Sequence, residues 1–303
     1  SGVGQLIGKL EPEAMMQEGG LQRAHIAVQL LRHKAAEGGL GTQIADANDG
    51  VGVFVLIQTM LLHPDSVLRH GCGIVLSSCI HEADDRFLSQ AMARRLPLAL
   101  LRVVREEERK VQQERGFDEH ATDPDLPIRR LALPMLHCLL SSDGTAEQVL
   151  AEPQASTVIL EACRSRDRIV QHGACALAIL LLRRNDDFSE EFAKSAEADA
   201  TALVASIVKV ADDGCMGATA LSENDAGTAA ACESDEIHLE QADAPLELTI
   251  ELCGRKAFRE ELLISNVAER LAEASAALPV RRHALVSDLV SLLRAPVDEE
   301  AVG

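Results

Sequence analysis

The feature that most restricts the fold of this chain is an apolar segment that returns at a nearly fixed interval. Such segments centre on Leu56, Leu100, Ile159, Leu203 and Leu271, at spacings of 44, 59, 44 and 68 residues. After each comes a further apolar stretch with helical periodicity, and four of these open alike, at Asp65, Asp125, Asp167 and Asp243. An acidic side chain just ahead of a helix accepts hydrogen bonds from the free N–H groups of the first turn. Pro127 and Pro245 fit into that turn because its N–H groups have no intrahelical partner. A fifth start is a closer copy: Leu126-Pro-Ile-Arg-Arg-Leu-Ala-Leu133 returns as Leu278-Pro-Val-Arg-Arg-His-Ala-Leu285. Arg69-His-Gly-Cys72 likewise returns as Gln171-His-Gly-Ala174. A Gly in mid-helix costs about 1 kcal/mol against Ala, so Gly71 and Gly173 are expected where a neighbouring helix comes close. Short amphipathic pieces such as 85–93 and 190–198 precede the paired apolar stretches. Each unit therefore holds three helices, the first of them short, and the base period falls in the range of about 40 to 47 residues found for two- and three-helix repeats.

Hydrophobic residues make up 47% of the chain and aromatic ones 2%, with no Trp or Tyr. Leu, Val, Ile and Ala must then build the core, which suits close-packed helices better than strands. In a repeat array each unit packs on its neighbours, so 303 residues form one continuous array without a central core. A net charge of -19 argues against a nucleic-acid backbone as partner and favours a protein partner with a basic segment. No apolar run reaches the roughly 18 to 20 residues of a membrane span, and Ser1 to Gly8 lack a signal pattern. No membrane insertion is expected, and the cytoplasm, or the nucleus, is the expected location. Eight cysteines without a Cys-x-x-Cys pair fit a reducing compartment. Cys72 and Cys79, seven apart, are expected as small core residues rather than as a metal or disulfide site.

Residues 43–67 contain the end of a short helix, a Gly turn, a Leu-rich helix and Pro64-Asp65 ahead of the next; 169–181 read as the third helix of a unit, with Ala174 and Leu177 on it. In these segments the chain resembles armadillo repeats, with HEAT repeats as the neighbouring subclass. The resemblance implies an all-α, right-handed superhelical solenoid of three-helix repeats over residues 20–294. Its units are a leading partial repeat 20–38 and repeats at about 39–82, 83–141, 142–184, 185–257 and 258–294.

Peptide-binding armadillo proteins line a concave groove with Asn side chains of the third helices, often beside Trp. This chain has no Trp, and no Asn within 66–80, 126–140 or 168–182. Ser77 or Ser78, His137 and Ile179 take the ladder positions, so a folded or helical partner is easier to accommodate than an extended peptide. Groove candidates at the right helical spacing are Arg32, Gly73, Ser77, His81, His137, Cys175 and Arg183. Arg129-Arg130 and Arg281-Arg282 fall in first turns, where the helix dipole favours acids, and salt bridges to a neighbouring acidic repeat are their expected role.

Two segments lengthen the period, both between a second and a third helix. Residues 105–124 open with Arg105-Glu-Glu-Glu-Arg-Lys110, which extends a helix through pairs three or four apart. Residues 211–245 carry nine acids, Asp212, Asp213, Glu223, Asp225, Glu233, Asp235, Glu236, Glu240 and Asp243, with no Lys or Arg, and read as an acidic mobile loop. Equivalent connections line up along one edge of a repeat array, so the two insertions are expected to project from the same edge, roughly 20 Å apart. No phosphate-binding loop, nucleophile elbow or zinc pattern is present. The expected function is a non-catalytic scaffold or adaptor for a protein, without metal or cofactor; an armadillo-type co-chaperone gripping a chaperone or client is the second reading.

Overall fold

The computed structural model describes residues 2–113, 126–140, 144–152, 154–165, 167–198, 200–206, 244–264, 266, 269 and 280–294, and every regular element among them is helical. The chain packs as two compact units, residues 1–158 and 159–303. In the first, α1 (Val3–Gly8), α2 (Pro12–Met15) and α3 (Gly20–Ala35) precede a triplet of α4 (Leu40–Asp46), α5 (Gly52–Leu62) and α6 (Ser66–His81). A second triplet follows as α7 (Asp85–Ala93), α8 (Leu96–Gln113) and α9 (Leu126–Leu139), and α10 (Thr145–Leu150) opens the next. The charged stretch from Arg105 does prolong its helix, to Gln113. The packed core also takes in residues ahead of position 20. Leu6, Ile7 and Leu10 are fully buried, although Gly8 and Pro12 interrupt the pattern too soon for periodicity to register.

Local chemistry starts the helices where an acid precedes the apolar pattern. Asp65 Oδ1 accepts the Leu68 N–H at 2.9 Å, and Asp84 Oδ1 accepts the Phe87 N–H at 2.9 Å. Asp125 lies outside the described residues. α4 has no cap of its own. Its first turn is held instead by the turn between α6 and α7, where Glu82 accepts the Gly41 N–H at 2.9 Å and Asp84 accepts the Thr42 hydroxyl at 2.6 Å.

Equivalent helices pack on one another: α3 on α6, α6 on α9, and α4 on α7, while α5 covers α6 and α8 covers α9. Gly71 permits the α3–α6 approach, since a Cβ there would overlap Val28 Cγ1. One hydrogen bond is used twice between successive first helices. Gln90 of α7 donates to the Ala45 carbonyl of α4 at 3.0 Å, and Gln148 of α10 donates to the Met92 carbonyl of α7 at 3.1 Å. The turns repeat as well. Gly39, Ala83 and Gly144 have positive φ (71°, 52° and 80°) just before α4, α7 and α10; Gly50, Arg95 and Gln154 have positive φ (83°, 55° and 65°) after those helices.

In the second unit, α11 (Ala155–Cys163) runs in from the first, and α12 (Arg168–Leu182) and α13 (Asp186–Ala198) follow. After the helical residues 200–206 come α14 (Ala244–Leu252), α15 (Lys256–Ile264) and α16 (Val280–Arg294). α12 packs on α14 and α14 on α16. Asp167 caps α12 through the Val170 N–H at 3.0 Å. Fully buried Gln171 donates to the Cys163 carbonyl at 3.0 Å and to Ser206 Oγ at 2.7 Å, tying α12 to two other helices. Ala244 and Pro245, where the expected acidic loop and the helix start expected after Asp243 overlap, begin α14 and are buried. Asp243 and the other eight acids lie outside the described residues, as do 114–124, so the expected common edge lies there too.

Candidate partner-binding face

The third helices of the first unit place the sequence candidates side by side, and their burial sorts them. Arg32 on α3 is exposed, Ser77 on α6 is half-buried, His81 at the end of α6 is exposed, and His137 near the end of α9 is half-buried. Gly73 is not available to a partner. It is buried at the α6–α9 seam, where a Cβ would come within 3.1 Å of Leu131 Cδ1 and 3.6 Å of Met60 sulfur. Cys175 is also excluded from any groove: it is fully buried on α12, its thiol pushed well above the ordinary value by burial and by Cys163 beside it. Arg183, after α12, is exposed, and its Nε donates to Glu251 at 2.6 Å beside a hollow of about 160 Å³. Both misplaced candidates sit on helices with neighbours on more than one side, so the apolar stripe is wider than the period alone suggests.

The row on α3, α6 and α9 carries its own electrostatics. His70 lies next to Arg32, and burial, then the Arg32 charge, hold its imidazole below the ordinary value. At the other end, His81 Nε2 lies 3.5 Å from the Cys138 sulfur, and His81 Nδ1 lies 2.8 Å from the Ser77 carbonyl oxygen. The Cys138 thiol is drawn down to about 6 by hydrogen bonds from His137 and His81 and by their charge, against the effect of burial. His81 is raised to about 9, chiefly by the bond to Cys138 and further by the Ser77 carbonyl, with burial opposing. Sequence reasoning picked out both histidines but left Cys138 among the scattered cysteines. Only its place directly after His137 signalled a link.

Cys72 and Cys79 are core residues as expected, with burial pushing Cys72 up to about 12. Arg129 is buried. The side chains of Arg281 and Arg282 are outside the described set. No group of three or more His, Cys, Asp or Glu among the described residues is arranged to hold a metal ion, and no described helix is long and apolar enough to cross a membrane.

A second feature falls outside the sequence candidates. Pro12, Met15, Met16, Leu21 and Leu62 line an apolar hollow of about 440 Å³, with Met16 87% and Leu62 73% exposed. Met15-Met16 beside Pro12 was the available signal, ahead of the expected array.

No protein-family model matches the sequence, and no curated protein matches it. The structure matches a crystal structure of an engineered protein at a TM-score of 0.59 and 14% identity, covering 98% of this chain and 100% of that one. It matches a crystal structure of computationally designed armadillo repeat proteins for modular peptide recognition at 0.57 and 10%, covering 96% and 99%. A designed armadillo repeat protein in complex with the peptide (KR)4 matches at 0.57 and 10%, covering 97% and 100%.

Proposed function

We propose, from its armadillo-like helical repeat fold, that this chain is a scaffold or adaptor that docks a protein partner on the row formed by α3, α6 and α9. The observation that carries the reading is that Arg32, Ser77, His81 and His137 stand on helices packed directly against one another, open or half-open to solvent. Rigid neighbouring helices hold such a row without further ordering cost, which is how repeat arrays present extended surfaces.

Within the row a protonated His81 beside an ionised Cys138 cancels, which leaves the single charge of Arg32. The row supplies shape and hydrogen bonds, while the net charge of -19 supplies long-range attraction for a basic segment. The designed protein in complex with (KR)4 peptide is a basic-peptide complex on a comparable fold. This chain lacks Asn at the corresponding third-helix positions, so the partner contributes side chains from a folded or helical surface. The co-chaperone reading has one observation of its own, the apolar hollow around Met15, Met16 and Leu62, which suits an exposed apolar stretch of a client.

Affinity capture from the native source with quantitative mass spectrometry tests this, comparing the wild-type chain with an Arg32→Ala, Ser77→Gln variant, which removes contacts without adding an acid. Loss of about 1 to 2 kcal/mol at the centre of an interface lowers recovery of a direct partner roughly tenfold, with the helical circular dichroism unchanged. Equal recovery of every captured protein by the folded variant would remove the row from the binding site.

A further inference from the structure

His81 Nδ1 faces the Ser77 carbonyl oxygen at 2.8 Å. A carbonyl only accepts, so that nitrogen carries its hydrogen. Nε2, 3.5 Å from the Cys138 sulfur, then either accepts from a thiol or donates to a thiolate. In the donating state both ring N–H groups are used. Three features favour it. His137 also hydrogen-bonds the same sulfur. His81 is the last residue of α6 and His137 lies in the last turn of α9, where helix carbonyl ends stabilise a cation. Cys138 is half-exposed, whereas Cys72, Cys79, Cys163, Cys175 and Cys253 are all buried. A thiolate that is both stabilised and reachable is the nucleophilic form of cysteine.

We propose that Cys138 is a reactive thiolate, held by His81 and His137 at the α6–α9 seam, and that hydroperoxides oxidise it to a sulfenic acid. The sulfur attacks the terminal peroxide oxygen, forming the S–O bond as the O–O bond breaks. Sulfur loses two electrons and the peroxide gains them. The departing hydroxide or alkoxide takes the proton from His81 Nε2, leaving water or an alcohol, a neutral imidazole and Cys–SOH. The geometry agrees with the titration of the pair, and His81 from α6 and His137 from α9 are the titratable groups that act on the sulfur. Burial instead raises Cys253 to about 11 and Cys72 to about 12. The chemistry holds whether or not a partner docks on the row.

The test uses the reduced full chain, with peptide-resolved mass spectrometry after limiting hydrogen peroxide and dimedone, and in parallel after iodoacetamide across a pH series. Dimedone should mark Cys138 ahead of the five buried cysteines. Its alkylation rate should rise through a midpoint near 6, the value set by the two histidines. At pH 6.5 a His81→Gln substitution should slow that alkylation about tenfold, once the lower intrinsic nucleophilicity of a low-pKa thiolate is allowed for. Circular dichroism checks that the variant is folded, and the wild-type profile decides the matter alone if it is not. A Cys138 midpoint in the ordinary thiol range, or dimedone labelling no faster than at Cys253, would overturn the proposal.

Discussion

Replacing Gly71 with Ala isolates the close approach of α3 and α6. In an exposed helix the change would stabilise by about 1 kcal/mol through propensity alone. Here the new Cβ overlaps Val28 Cγ1, on a side chain that is 3% exposed. Val holds essentially one χ1 rotamer in a helix and cannot swing aside, so the helices must separate, at about 1 to 3 kcal/mol. The net is a loss of up to about 2 kcal/mol, which at about 2 to 4 °C per kcal/mol for a unit of this size is at most roughly 4 to 8 °C in Tm. Val28→Ala alone removes two buried methyl groups and costs about 1.5 to 3 kcal/mol. The double variant puts the methyl added at position 71 into the space that Val28 vacates, so it should be as stable as Val28→Ala or more so, a favourable coupling of about 1 to 3 kcal/mol. Thermal unfolding followed by far-ultraviolet circular dichroism measures all four proteins. A Gly71→Ala protein that melts higher by the full propensity gain, or a double variant that loses the sum of the two singles, would refute the approach of these helices.

Asp65→Ala should cost about 0.5 to 2 kcal/mol by removing the cap of α6. Burial pushes the Asp65 carboxyl up, but hydrogen bonds from Leu68 and His25, with the His25 charge, together hold it below its ordinary value of 3.8. Its contribution is thus fully present above pH 3.8 and is lost as pH falls through the lower folded value; wild type and variant should converge in acid melts, and a constant difference down to pH 2 would contradict this. Gln171→Leu leaves the buried Cys163 carbonyl without the side-chain donor it now has, so it should lower the urea midpoint by the equivalent of about 1 to 3 kcal/mol. An unchanged midpoint would mean that the bridge to Ser206 is not made in solution.

Features set by a few neighbouring residues were legible in the sequence. Asp65 and Asp167 cap the helices they precede, Gly71 marks a close approach, and the helical extension beyond Arg105 follows from charges three and four apart. What depends on helix rotation within the array was harder to see. Gly73 and Ser77 are one turn apart, yet α9 covers the first and leaves the second half-open. Cys175 was misplaced for a similar reason, since α12 is apolar over most of its circumference. The meeting of His81 with Cys138, 57 residues later, needs both the relative height and the rotation of two helices, and neither is written in a period of 44. The Gln90 and Gln148 bridges could have been found only by aligning first helices, whose short patterns are the weakest part of each unit.

The left-handed turns have a consequence for what this chain shares with proteins of like shape. Ala83 follows Gly39 by 44 residues and Arg95 follows Gly50 by 45; Gly144 then follows Ala83 by 61 and Gln154 follows Arg95 by 59. The lengthened repeat at 83–141 thus stretches both intervals alike. What recurs at these corners is the sign of one dihedral angle, and Gly, Ala, Arg and Gln all supply it, the last three against a steric cost of roughly 1 kcal/mol each. The instruction to turn is therefore stored in a conformation that many side chains tolerate once helices on either side hold it. A comparison of letters sees four unrelated residues there, whereas a superposition of backbones sees one corner, made again and again.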